Sequence, residues 1–247
     1  MTPGMKEKTH SIPFALPLFV ACAMVSGTAS GAVLANYAFA GGSAASTDAD
    51  PTSAASNVTF TDGSNTGTTE TVIGAGFSGS SNMFYFRTNG LKTNETDAIG
   101  APDFISFTFT PTPGTSYNLQ NITVDFGGSN AGGGAPGYTS YAFLRSSLED
   151  TAYSTNIGST ISRDVPGPGS GNEYNLAQET FTFTDPAFAN VTAPVTFRLY
   201  MYSSSNAESL QILRLDNLRI NGAVIPEPAS SLAFALGVGV MAIRRRR

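Results

Sequence analysis

The only cysteine of the 247-residue chain is Cys22 and the only histidine is His10. Both lie in the first 25 residues, so a thiol nucleophile, an imidazole base or a His/Cys metal site is closed to everything downstream. Carboxylates are what remain for acid–base work. Glu149 and Asp150 are adjacent, but neighbours on an extended chain point to opposite faces, whereas glycoside hydrolysis needs two carboxyls facing each other about 5–9.5 Å apart. The pair reads as a solvated turn. No catalytic residue is assigned. An all-oxygen calcium shell could draw on Asp216, Asn217 or the loop 171–174, yet the same residues serve as ordinary turn formers, and neither a metal nor any other cofactor is assigned. Flat aromatics flanked by polar groups are the sequence sign of a sugar platform. Arg198, Tyr200 and Tyr202, alternating along one strand, are the best candidates.

Two glycine-rich strings could suggest phosphate binding. Residues 74–79 spell G-x-G-x-x-G, but that motif works only when it opens a helix whose N-terminus meets the phosphate, and here a strand follows. Residues 127–137 carry no Lys-Ser/Thr and read as a long loop. The sequons at Asn57, Asn94, Asn121 and Asn190 read as incidental.

These residues sit in a background of period-two alternation interrupted by turn residues, the pattern of half-buried strands. Ile105, Phe107 and Phe109 alternate with Ser106, Thr108 and Thr110. Val195, Phe197, Leu199 and Met201 face inward, leaving Thr196, Arg198, Tyr200 and Tyr202 outward. Further strands are expected over 36–40, 57–61, 69–75, 82–88, 117–126, 138–145, 179–184 and 211–221. Asn89-Gly90 offers a hairpin turn. Parity slips near Gln120-Asn121 and Asp216-Asn217, which predicts bulges. Nine or ten strands without a helix imply an all-β fold, a single jelly-roll-like β-sandwich over residues 32–223.

Both flanks of that domain differ from it. Lys6 and Lys8 precede an apolar stretch over 12–25 and then small residues, the layout of a secretory signal peptide over residues 1–31. Ala29 and Gly31 permit cleavage before Ala32, and Val33 and Ala35 permit it before Asn36. Between the flanks, residues 36–224 hold 16 acids against 7 bases, a net charge of −9. Such a balance disfavours nucleic acid and anionic membrane surfaces and leaves cations, neutral polymers and proteins.

At the other end, residues 224–247 contain Pro226-Glu227-Pro228, an uncharged apolar run over 229–243, and Arg244, Arg245, Arg246 and Arg247. Fifteen residues make about 22 Å of helix, a short membrane span that snorkelling arginines and local thinning can accommodate. The basic cluster orients the span with its end in the cytoplasm. This order of parts resembles the sorting tail of PEP-CTERM proteins. The resemblance implies recognition by exosortase, an integral-membrane cysteine transpeptidase-like enzyme acting at the Pro-Glu-Pro region, and a transient inner-membrane anchor. It further implies an exported cell-surface or extracellular-matrix protein in a bacterium that makes exopolysaccharide. The expected function is therefore non-enzymatic, with exopolysaccharide as a candidate ligand; the alternative is a secreted polysaccharide-active enzyme that uses only Asp and Glu.

Overall fold

The computed structural model describes residues 31–47, 52–61, 70–73, 84–87, 92–100, 104–130, 136–167, 176–205 and 211–225. Within them lie twelve strands, one short α-helix and two 3-10 turns at Ala40–Gly42 and Pro186–Phe188: β1 Ala32–Tyr37, β2 Ser53–Ala55, β3 Thr59–Thr61, β4 Glu70–Ile73, β5 Phe84–Arg87, α1 Glu95–Gly100, β6 Phe104–Pro111, β7 Ser116–Asn130, β8 Tyr138–Ser146, β9 Ile157–Val165, β10 Ala177–Thr182, β11 Val195–Ser203 and β12 Gln211–Ile225. The signal-peptide residues before Gly31, the string 74–79, Asn89-Gly90, the loop 171–174 and the tail from Pro226 onward lie outside the described residues.

Every pairing is antiparallel, in two six-stranded sheets. The first runs β10-β7-β12-β5-β4, with β1 also on β12; the second runs β2-β6-β11-β8-β9, with β3 also on β6. The pairings nest: β5 with β12, β6 with β11, β7 with β10 and β8 with β9. Folding a long antiparallel ribbon over itself in this way is the jelly-roll wrap, in which successive strands alternate between sheets. The expected all-β, jelly-roll architecture is thus what the chain forms.

Alternation along the strands decides what fills the space between the sheets. Phe107 and Phe109 of β6, Phe197 and Leu199 of β11, and Ile122, Val124 and Phe126 of β7 are all buried in one continuous core with Leu218 and Ile220 of β12. Phe107 and Phe197 stack at 5.6 Å, and Phe109 meets Tyr117 edge-on at 5.0 Å. Burying one such ring contributes about 2–3 kcal/mol, so the dozen or so aromatics here are the main stabilising term. Both predicted bulges are present. The β7–β12 register shifts between Asn221 and Gly222, opposite Gln120, and again between Asp216 and Arg219, where Asn217 adopts φ 48°.

Four expectations need correction. Residues 127–130 are not loop: they continue β7, paired with Gln211 to Arg214 of β12, and the Tyr138 hydroxyl fills the space that a side chain on Gly128 would need. β9 lies where no strand is expected, since its sequence shows no apolar alternation. Helix α1 was not foreseen. It is short, starting at Asn94, whose Oδ1 accepts from the Asp97 backbone N–H at 2.9 Å, an N-cap arrangement. Finally, β1 begins at Ala32 rather than Asn36, and β12 continues through Val224 and Ile225, two residues beyond the expected domain edge.

Candidate functional site

The outer face of the second sheet carries the aromatic and arginine residues that the sequence singled out. Cross-strand register builds it in rows: Tyr202 opposite Tyr141, Tyr200 opposite Phe143, and Arg198 opposite Arg145, with Phe104 of β6 on the other side of Tyr200. Register turns into ring contact. Tyr141 and Tyr202 stack at 4.7 Å and 11°, Phe143 and Tyr200 at 5.0 Å and 3°. Ala98 of α1 closes over this second cluster, which comprises Ala98, Phe104, Phe143 and Tyr200 with Tyr202 packed at its margin.

An arginine anchors the cover. Arg145 is buried, its guanidinium 5.2 Å from the Phe143 ring centre. Its Nε donates to Asn156 Oδ1 and its Nη1 to the Tyr153 carbonyl, each at 2.6 Å, while Nη2 reaches Glu95 Oε1 at 3.5 Å. Asn156 Nδ2 donates to the same Glu95 oxygen at 2.6 Å. The network therefore ties α1 and the 149–156 loop to β8, and a buried charge held by several partners makes such a tie stiff. The loop is further fixed by Asp150, which accepts from Ala152 N at 2.7 Å, Ser154 N at 3.0 Å and the Ser154 hydroxyl. Those bonds, the Ser154 hydroxyl first, hold its carboxyl below the usual range. Tyr153 sits in the left-handed region at φ 54°, a cost for a bulky residue, and its ring covers Arg198, whose guanidinium carbon lies 3.7 Å from the ring centre and 4.7 Å from that of Phe104.

The three predicted platform residues are thus neighbours, but not equals. Tyr202 and Arg198 are partly exposed. Tyr200, expected on an open face, is only 3 % exposed: its outward parity is as expected, yet α1 and Phe104 cover it, so it supports the platform from beneath instead of presenting a ring. Tyr141, Tyr153, Arg145 and Glu95 were missed. Tyr141 and Arg145 lie on a strand that was expected, and its pairing with β11 would have found them.

The remaining predicted residues fall elsewhere. Gly31 is the first described residue and approaches Gln120, whose side-chain amide occupies the space a Cβ would need. Glu149 sits in the expected turn but is half-buried, with one carboxylate oxygen out of water; burial first, and the charge of Asp185 second, push its carboxyl up. Asp216 Oδ1 accepts from Asn217 N at 2.8 Å, and Asn217 Nδ2 donates to Asp125 Oδ2 at 2.8 Å. Among the described residues no group of three metal-ligating side chains converges, and no helix is long and apolar enough to cross a membrane. On the first sheet, Val33, Asn36, Thr47 and Arg219 line an open depression of about 330 Å³, where Arg219 Nε donates to Asn36 Oδ1 at 3.0 Å. Its described lining contains no aromatic ring.

No family profile matches the chain, and no curated protein matches it. Several solved structures are similar at low identity. The K3 cleaved adhesin domain of Lys-gingipain from Porphyromonas gingivalis is 13 % identical, with a TM-score of 0.40 over 76 % of this chain and 99 % of that one. The CBM22-1 xylan-binding domain of Paenibacillus barcinonensis Xyn10C is 11 % identical, with a TM-score of 0.38 over 78 % and 96 %. CBM27-1 of Caldicellulosiruptor saccharolyticus, solved with mannohexaose, is 13 % identical, with a TM-score of 0.37 over 77 % and 96 %.

Proposed function

We propose that this chain is an exported, exosortase-sorted surface or matrix protein whose jelly-roll domain binds polysaccharide without cleaving it. The observation that carries the binding reading is the Tyr141–Tyr202 pair. Two partly exposed rings, stacked and braced from below by Phe143 and Tyr200, form a rigid apolar step at the margin of a polar surface. A pyranose presents a C–H face to such a ring and hydroxyls to its polar surroundings; here Glu95 and Arg198 supply them. Affinity electrophoresis of the full chain in gels containing envelope polysaccharide tests this. Retardation that Tyr202→Ala abolishes supports it, and an unretarded parent protein overturns it.

The enzymatic alternative would centre on Glu149, the carboxyl that burial first and Asp185 second push up. Release of reducing ends, lost in Glu149→Gln, would establish that reading in place of simple binding.

Export and sorting rest on the two flanks. Signal-peptide cleavage between Gly31 and Ala32 is compatible with β1, whereas cleavage before Asn36 would remove Leu34 and Ala35 from the core. Pro226, Glu227 and Pro228 follow directly on β12, ahead of the apolar run and Arg244, Arg245, Arg246 and Arg247. Deleting residues 226–247 is expected to release the domain into the periplasm or medium; fractionation identical to the intact protein would refute sorting.

A further inference from the structure

Arg198 is chemically unlike the other arginines whose side chains are described. Arg145, Arg163, Arg214 and Arg219 each donate to a named acceptor: Asn156, Glu179, Ser129 and Asn36. Arg198, among the described residues, makes no hydrogen bond and no ion pair; its contacts are the rings of Phe104 and Tyr153. Stacking of this kind engages the flat face of a guanidinium and leaves the in-plane N–H fork free to donate. The side chain is partly exposed, so the fork is open to a ligand. Two acids of the cover are engaged elsewhere, Glu95 by Arg145 and Asn156, and Asp150 by its own turn. What the fold provides is a positioned, partly exposed cation that, among the described residues, has no ion-pair partner.

We propose that Arg198 reads an oxyanion substituent, a uronate carboxylate or a sulfate ester, on a polysaccharide that runs along β11 and stacks a neighbouring sugar on Tyr202. A planar fork matched to two oxygens is the geometry that a carboxylate or sulfate offers. Four residues of strand separate Arg198 from Tyr202, about 13 Å at 3.3 Å per residue, so one ligand touching both spans more than a single sugar ring. Because the domain as a whole is acidic, long-range steering does not favour an anionic polymer; the discrimination falls on this one side chain. The assignment rests on the carbohydrate reading above and narrows it to acidic polymers.

The test uses the full chain in a non-ionic detergent, electrophoresed through gels containing alginate, polygalacturonate, dextran sulfate, neutral dextran or neutral galactomannan. We expect retardation by a charged polymer, weakened roughly tenfold or more in Arg198→Gln, the size of a lost charge-assisted hydrogen bond, and to an intermediate degree in Arg198→Lys, which keeps charge without the fork. Carboxylated and sulfated gels tell the two substituents apart. Melting temperatures of both variants show whether the loop cover survives; where Arg198→Gln melts early, Arg198→Lys carries the comparison. Retardation by charged polymers that neither variant changes overturns the assignment. Retardation by neutral polymers that Tyr202→Ala abolishes and Arg198→Gln does not overturns it while leaving carbohydrate binding intact. No retardation by any gel overturns both.

Discussion

The hydroxyl of Tyr138, on the second sheet, lies 2.6 Å from the carbonyl oxygen of Ile212 on the first and accepts from the Ile212 N–H at 3.1 Å. It is also 3.0 Å from the Ser129 carbonyl, so one phenol bolts β8 to β7 and β12 through the core. Burial holds its proton firmly, raising its pKa far above the ordinary tyrosine value. Tyr138→Phe should therefore cost about 1–3 kcal/mol, the penalty of leaving buried backbone groups unpaired. Urea unfolding of the two proteins measures it.

The same hydroxyl explains a glycine. A Cβ on Gly128 would lie 2.5 Å from Tyr138 Oη, 2.8 Å from Val165 Cγ2 and 2.9 Å from the Ile212 carbonyl. Gly128→Ala should destabilise by about 1–3 kcal/mol through overpacking. Combined with Tyr138→Phe, which removes the nearest of these atoms, the loss should fall short of the sum of the single losses by about 0.5 kcal/mol or more. Strict additivity in the double-mutant cycle would contradict the contact.

Asp216 sets a pH dependence. In an unfolded chain an aspartate titrates near pH 3.9; here burial chiefly, and Asp125 besides, push it up to about 6. Between those values the folded state binds more protons than the unfolded one, so stability falls as pH climbs from about 4 through 6 and then levels. Asp216→Asn should flatten that slope and leave the protein more stable than the parent at pH 7 but not at pH 3.5. Thermal melts across this range decide.

Removing Arg145 should free the cover over the second cluster. Arg145→Ala deletes the donors to Asn156 and Tyr153 and removes the cation beside Glu95, which keeps Asn156 as a partner. A loss of about 2–4 kcal/mol is expected for breaking such a pair, with a change in the near-ultraviolet tyrosine dichroism as Tyr153 leaves Arg198. Unchanged dichroism would show that the loop holds itself.

On the proposed export, mass spectrometry of the processed chain should find Ala32 at its start. A start at Asn36 would delete three of the five β1 partners of β12 together with Leu34, which is buried.

How much of this was legible beforehand depends on what each strand faces. β6 and β11 separate core from solvent cleanly, so Ile105, Phe107, Phe197 and Leu199 announced themselves. β9 is an edge strand whose middle residues, Gly158 to Arg163, are polar or only half-covered; without a buried row it has no period to read. Alternation told correctly that Tyr200 points away from the core. It could not tell that a six-residue helix, recognisable only by Asn94 and Asp97 at cap spacing, would settle on top of it. Arg145 was invisible for a related reason. Tyr153 and Asn156 stand in the connection that follows β8, but Glu95 comes from α1, 50 positions away, and only the packing of α1 on the second sheet brings it there.

Ala32 pairs with Gly222, and three residues later β12 ends at Ile225. Whatever is attached beyond Ile225 therefore pulls on a strand that β7 flanks along one side and β1 and β5 along the other. The domain thus hands over to its C-terminal flank from an interior strand bonded on both sides, rather than from a sheet edge.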